Sequence, residues 1–217
     1  MKYYSFGVTN ELNIIGFYPQ TQRAKGFHVD EYNFPSDSFP EFEPKFGLEL
    51  NSKSIATDIL DKSPLDFGQV VNDKLKSILE QFNLPPHKFY SIDVHGSTTR
   101  YFWFHYITNF GNFIDFKMTE IEIYHSTELY LLDTVKFNSY NELMDYKRSI
   151  IMQRGKATRF GKIFLKDTFP NYDLFEISGA SYSTIISEKL KLKLEMEDIT
   201  GFETLEYNRI ITTPNSR

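Results

Sequence analysis

Val70 and Val71 are followed by Asn72 and Asp73, and then by Leu75, Ile78, Leu79 and Phe82 at helical spacing, with polar residues on the other face. The pattern predicts a helix capped by Asn72, whose side chain accepts from free first-turn amides, with Asp73 at the positive end of the helix dipole. The same instruction returns 115 positions later as Ile185-Ile186-Ser187-Glu188-Lys189-Leu190-Lys191. Here Leu190, Leu192, Leu194 and Met196 alternate strictly with charged residues, which is the period of a half-buried strand. Residue type points the other way, because Leu, Lys, Glu and Met favour helix and none is β-branched. The first copy decides for helix in both. Each helix then meets a turn, Pro85-Pro86 or Thr200-Gly201, and a strand-like run.

Around this repeat, at about 70–94 and 185–207, the chain reads mainly as strand. Lys2 to Val8, Asn13 to Tyr18, Gly47 to Leu50 and Ile55 to Leu60 are predicted strands. Lys88 to Val94 and Arg100 to Thr108 form a predicted hairpin. The second arm is apolar on both faces, which predicts a central strand covered on both sides; the alternative is an exposed aromatic patch. Phe113 to Phe116, Thr119 to Tyr124 and Leu129 to Phe137 continue the pattern. Ser139-Tyr140-Asn141-Glu142 is a capping box that opens a helix to about Ile151. Gly155 to Gly161 reads as a basic loop, followed by strands at Lys162 to Lys166 and Leu174 to Ile177. The predicted class is α+β, mainly antiparallel sheet with about three principal helices, in one domain over residues 1–217.

Between Asn33 and Phe46, three prolines alternate with Phe34, Phe39, Phe42 and Phe46. Prolines at this density exclude helix and central strand, and the phenylalanines are expected to pin the loop to the body. The loop is also acidic. Nine acidic residues and three lysines lie between Asp30 and Asp66, whereas Lys147 to Lys166 holds seven basic residues and no acidic one. Such asymmetry concerns partners rather than fold.

With 217 residues, 21 Phe and 14 Tyr, the chain is long enough to bury a substantial aromatic core. The absence of cysteine removes disulfides, thiolate catalysis and cysteine-based metal sites. No uncharged apolar run approaches a bilayer span and no export signal opens the sequence, so a soluble cytoplasmic protein without a membrane partner is expected.

Gly179-Ala180-Ser181-Tyr182-Ser183 lacks the final glycine of a nucleophile elbow. Gly155 and Gly161-Lys162 miss phosphate-loop spacing by one residue. The five histidines avoid the three- or four-residue spacing of helical ligands. His95 and His105, with Asp93, remain a candidate site across the hairpin. No metal or cofactor is implied. A net charge of −5 and the lack of a nucleic-acid motif argue against nucleic acid.

Asp173-Leu174-Phe175-Glu176-Ile177-Ser178-Gly179, then Ile185 to Lys191, then Ile199-Thr200-Gly201-Phe202-Glu203, resembles the C-terminal signature of a family of immunity proteins of bacterial polymorphic toxin systems, formerly catalogued as a domain of unknown function. Thr57-Asp58-Ile59-Leu60 followed by Val70 to Leu75 resembles the earlier part of the same pattern, with Asn72 where serine is usual. The resemblance implies a non-catalytic protein that binds and neutralises a cognate toxin encoded beside it. A scaffold module with another partner and an enzyme with an illegible site are the alternatives, and self-association is left open. Many nucleic-acid-directed toxins are basic, so the expected contact residues are Asp30, Glu31, Asp37, Glu41 and Glu43. The basic run from Lys147 to Lys166 is the competing surface.

Overall fold

Asn72 and Ser187 each end a strand and cap a helix, and this shared junction positions the rest of the molecule. The computed structural model describes residues 2–27, 34–62, 65–151, 153 and 155–211. Its elements in chain order begin with β1 (Tyr3–Val8), the single-turn helix α1 (Leu12–Ile15), β2 (Thr21–Arg23), β3 (Gly47–Leu50), β4 (Ile59–Leu60) and β5 (Gln69–Asn72). Then come α2 (Asp73–Leu79), β6 (His87–His95), β7 (Tyr101–Tyr106), β8 (Ile121–His125), β9 (Leu131–Val135), α3 (Tyr140–Ile151) and β10 (Lys156–Phe160). The chain finishes with β11 (Ile163–Phe164), β12 (Leu174–Ile177), β13 (Ser183–Ser187), α4 (Glu188–Met196), β14 (Phe202–Glu206) and β15 (Ile210–Ile211). The fold is α+β and dominated by sheet, and its strands pair antiparallel except β3 with β6 and β11 with β15.

Six strands form one sheet in the order β2-β3-β6-β7-β5-β4, four form a second in the order β12-β13-β1-β14, and β10-β8-β9 form a third. The first two sheets contain the same unit. In the first unit β4 pairs with β5, β5 with β7, and β7 with β6. In the second, β12 pairs with β13, β13 with β1, and β1 with β14. The place that β7 fills by following β6 in a hairpin is filled by β1, from far away in the chain. The register agrees residue by residue. Phe102 faces Val71 and Ser91, while Tyr4 faces Ile186 and Glu206, and both pairs of partners differ by the same 115 positions.

One hydrophobic cluster lies between the units and draws equivalent residues from each: Ile59 and Leu174, Val71 and Ile186, Leu75 and Leu190, Leu79 and Leu194. Helix α4 is therefore the second α2, and the strand period in its sequence is spurious. Leu190 and Leu194, one turn apart, are fully buried, whereas Leu192 and Met196 are 56% and 71% exposed.

All six residues of β7 are buried. Phe102, Phe104 and Tyr106 join the cluster between the units, while Tyr101 and Trp103 face the opposite cluster beneath the proline-rich loop. That loop is pinned as its sequence predicts: Phe34 and Phe46 lie 5.1 and 5.5 Å from the Trp103 ring, and Phe39 lies 5.0 Å from the ring of His105. Phe42 is the exception, 65% exposed.

Four local expectations are corrected. Residues 13–18 do not form a strand; Leu12 to Ile15 make a helical turn, closed by Ile15 N–H to Glu11 O at 3.0 Å and ended by Gly16 at φ +76°. Phe113 to Phe116 do not form a strand either, because Phe110–Phe113 is a 3-10 turn. Of residues 55–60, only Ile59 and Leu60 are extended. The basic stretch after Gly155 is strand β10 rather than a loop, with Thr158 and Phe160 buried and the whole strand paired with β8. The capping box opens α3 in shifted form: Ser139 Oγ accepts from Glu142 N–H at 3.2 Å, but Glu142 reaches back to the amide of Asn138 at 2.7 Å.

Candidate functional site

The residues that carry the repeat hold the fold together. Asn72 Oδ1 accepts from Leu75 N–H at 2.9 Å and Ser187 Oγ accepts from Leu190 N–H at 3.2 Å, so both caps are made. Each cap is itself held by an aspartate 14 positions earlier: Asn72 Nδ2 donates to Asp58 Oδ1, and Ser187 Oγ to Asp173 Oδ1, both at 2.7 Å. The second carboxylate oxygen of each aspartate then reaches the turn after the other unit's helix. Asp58 Oδ2 accepts from the Thr200 amide and hydroxyl at 2.7 Å, and Asp173 Oδ2 from the Asn83 amide at 3.0 Å. Charge-assisted bonds to backbone amides are among the stronger ones, and here they fasten each unit to its counterpart. Residue type alone does not single out these aspartates, although both stand at the repeat's own offset. They are structural and leave function to other surfaces.

Of the acidic residues expected at the partner surface, Asp30 and Glu31 lie outside the described residues. Asp37, Glu41 and Glu43 are exposed, yet they do not share one concavity. Glu41 and Glu43 border a hollow with Phe42, Lys88 and Tyr90. Asp37 lines a separate cleft of about 360 Å³. The loop presents these groups from a fixed backbone, because Phe34, Phe39 and Phe46 anchor it on Trp103 and His105. Phe42, exposed and 6.4 Å from the Phe34 ring, stands between Glu41 and Glu43 in the sequence of this pinned segment.

The cleft lies where the first unit, the second unit and the segment between them meet. Tyr106 comes from β7, Glu176 from β12, and Tyr140 from the start of α3, while Tyr182, Asn109 and Asn112 add to the polar lining. Burial pushes the Glu176 carboxyl up and the Lys62 ammonium down, and each group partly offsets the other's shift. Burial, with Glu176 nearby, also raises the Tyr106 phenol, whose hydroxyl lies 3.0 Å from Thr184 Oγ1. Tyr140 is raised by burial as well. Nothing in residue spacing announces this site, since Lys62 and Glu176 meet only through the packing of the two units. The one local clue is a glutamate set among Leu174, Phe175 and Ile177 on an otherwise buried strand.

The histidine candidate is not assembled. The hairpin register places His105 opposite Lys88, with His95 at the far end of β6. His105 is fully buried, stacked 4.8 Å from Trp103, and burial pushes it down to about 4. Among the described residues no three His, Asp or Glu side chains gather as a metal would need.

The basic run is neutralised only in part. Arg159 pairs with Glu122 at 2.6 Å and Lys162 with Glu120 at 3.5 Å, while Arg148 pairs with Asp145 at 2.9 Å. Lys166 Nζ donates to Asn112 O at 2.8 Å, and Lys147 Nζ to Gly179 O.

No helix among the described residues is long and apolar enough to cross a membrane. No protein-family model and no curated protein matches the chain.

Proposed function

We propose that this protein is a non-catalytic cytoplasmic binding protein, an immunity protein that neutralises a cognate toxin by covering part of its surface. The observation that carries the reading is Phe42, 65% exposed between Glu41 and Glu43 on a loop held down by three other phenylalanines. Aromatic side chains, phenylalanine among them, are enriched in protein interfaces, and pre-ordering lowers the entropy lost on binding. Carboxylates at Asp37, Glu41 and Glu43 would steer a basic partner, whereas on the competing basic surface Arg148, Arg159 and Lys162 are already engaged in ion pairs of their own. The resemblance from Ile55 to Tyr207 supports the same role, since its residues are the caps and fastenings of a scaffold.

Reversing charge at Asp37, Glu41 and Glu43 together tests this. The triple variant should fold normally, associate more slowly with the toxin encoded by the neighbouring gene, and lose much of the salt dependence of association. Unchanged toxin binding would remove the loop from the interface, and protection lost instead on replacing Lys156 and Arg159 would move it to the basic face.

A catalytic reading has one observation in its favour, the Lys62–Glu176 pair with both groups shifted towards neutrality beside a polar cleft. Protection lost in Glu176→Gln while toxin binding is retained would point to proton transfer at that carboxyl rather than to neutralisation by binding.

A further inference from the structure

The cleft between the units has an unusual balance of groups. Asp37 and Glu176 line it with Tyr106, Tyr140, Tyr182 and Phe67, and among the described residues no Lys, Arg or His does so, although the Lys147 ammonium lies over the Tyr182 ring at 5.1 Å. Its volume of about 360 Å³ falls at the small end of the range for ligand sites, about 300–1,000 Å³. The Glu176 carboxylate accepts no hydrogen bond from a described residue, although its backbone amide is fixed to Thr108 Oγ1 at 3.0 Å. Lys62, whose charge acts on it, has its ammonium bonded to the Asp66 carbonyl at 3.1 Å and is absent from the lining. Glu176 is thus held in place by its backbone in the wall of a cleft that aromatic residues also line.

We infer that this cleft receives a guanidinium group, the side chain of an arginine presented by the partner. A planar cation is suited to both kinds of wall at once: its fork pairs with a carboxylate, and its face stacks on aromatic rings. The molecule already uses this chemistry elsewhere, with the Arg159 guanidinium 2.6 Å from Glu122 and 4.9 Å from the centre of the Tyr124 ring. Asp37 joins the acidic loop to the cleft, so an arginine steered by the loop would have a place to bind. The inference rests on the reading of the loop as an interface with a basic partner, and it adds the side chain that partner must carry.

The probe is N-acetyl-arginine amide, titrated into the full chain at low salt and followed by amide NMR shifts, with the neutral isostere N-acetyl-citrulline amide beside it. Saturable shifts confined to residues around Thr108–Asn112 and Glu176–Ser178 are expected. Citrulline should bind at least about tenfold more weakly, the factor that corresponds to about 1.4 kcal/mol. Glu176→Gln and, independently, Asp37→Asn should each weaken arginine binding several-fold, while Glu206→Gln, on the opposite edge strand of the same sheet, should leave it unchanged. Asp37 is exposed, so its variant remains informative if the Glu176 variant fails to fold. Equal affinity for citrulline, saturation by a neutral polyol, binding indifferent to both carboxylate variants, or no saturable shift would each overturn the inference. If the probe fails while the Asp37, Glu41 and Glu43 variant still loses its toxin, the interface stands and the arginine pocket does not.

Discussion

Gln69 and Thr184 occupy equivalent positions in the two units, and the Gln69 amide donates to the Thr184 hydroxyl at 3.3 Å. Equivalent residues touch one another only near an axis that relates two copies, so the units face each other about an approximate twofold. The reciprocal contacts of Asp58 with Thr200 and of Asp173 with Asn83 have the same cause. Within one chain, this is the geometry of an isologous dimer interface, where each contact is made twice.

Those reciprocal bonds give the first prediction. Asp58→Ala and Asp173→Ala should each destabilise the protein by about 2–3 kcal/mol, because each strands a cap and a turn amide together. Denaturant unfolding measures this. A loss below about 0.5 kcal/mol in either variant would show that the aspartates do not fasten the units.

Leu75→Ala and Leu190→Ala should each cost ~2–5 kcal/mol as fully buried leucines, whereas Leu192→Ser, on the exposed side of α4, should stay within ~0.5 kcal/mol. Equilibrium denaturation of the three variants would decide whether α4 is oriented as described. A costly Leu192→Ser paired with a tolerated Leu190→Ala would reverse the helix face.

His105 makes stability depend on pH. Its folded value of about 4 lies below the unfolded 6.5, so the native state favours the neutral ring. The contribution is complete above about pH 6.5 and is lost as pH falls towards 4, reaching ~3 kcal/mol at full protonation. His105→Phe should flatten the stability curve over that window relative to wild type. Parallel curves for the two proteins would contradict the assignment.

Phe42→Ala should leave thermal stability nearly unchanged, since the ring is 65% exposed, and should weaken toxin binding by about 2 kcal/mol or more if it is the anchor. Calorimetric titration against the neighbouring gene product separates the two effects. Wild-type affinity in this variant would leave the loop without its hot spot.

Much of this architecture was legible in residue order. Asn72 and Ser187 announced both caps, and Tyr101 to Tyr106 announced a strand buried on two faces. The failures share a physical cause. Lys156 to Phe160 looks like a basic loop because its charges dominate its composition, and only pairing with Ile121–His125 makes it a strand. Leu12 to Ile15 is too short for helical periodicity to register. The cleft was invisible for a related reason: its carboxylates and tyrosines come from segments spread between Ser36 and Tyr182, and no spacing rule links residues that meet only after two units have packed.

The strand that completes the second unit is made before any part of the first. Ser5 and Leu205, on neighbouring strands β1 and β14, are separated by 200 positions, whereas β6 and β7 follow one another as a hairpin. Closing so long a loop carries a larger entropic cost than closing a hairpin, so the two units, alike in shape, should differ in their order of assembly. In pulsed hydrogen exchange during refolding, amides of β5, β6 and β7 should gain protection before those of β13, β1 and β14; simultaneous protection would mean that the units form only together. Until β1 arrives, β13 and β14 present open edges, and the β1 of a neighbouring chain would fit them as well as their own, a route to strand exchange between molecules at high concentration.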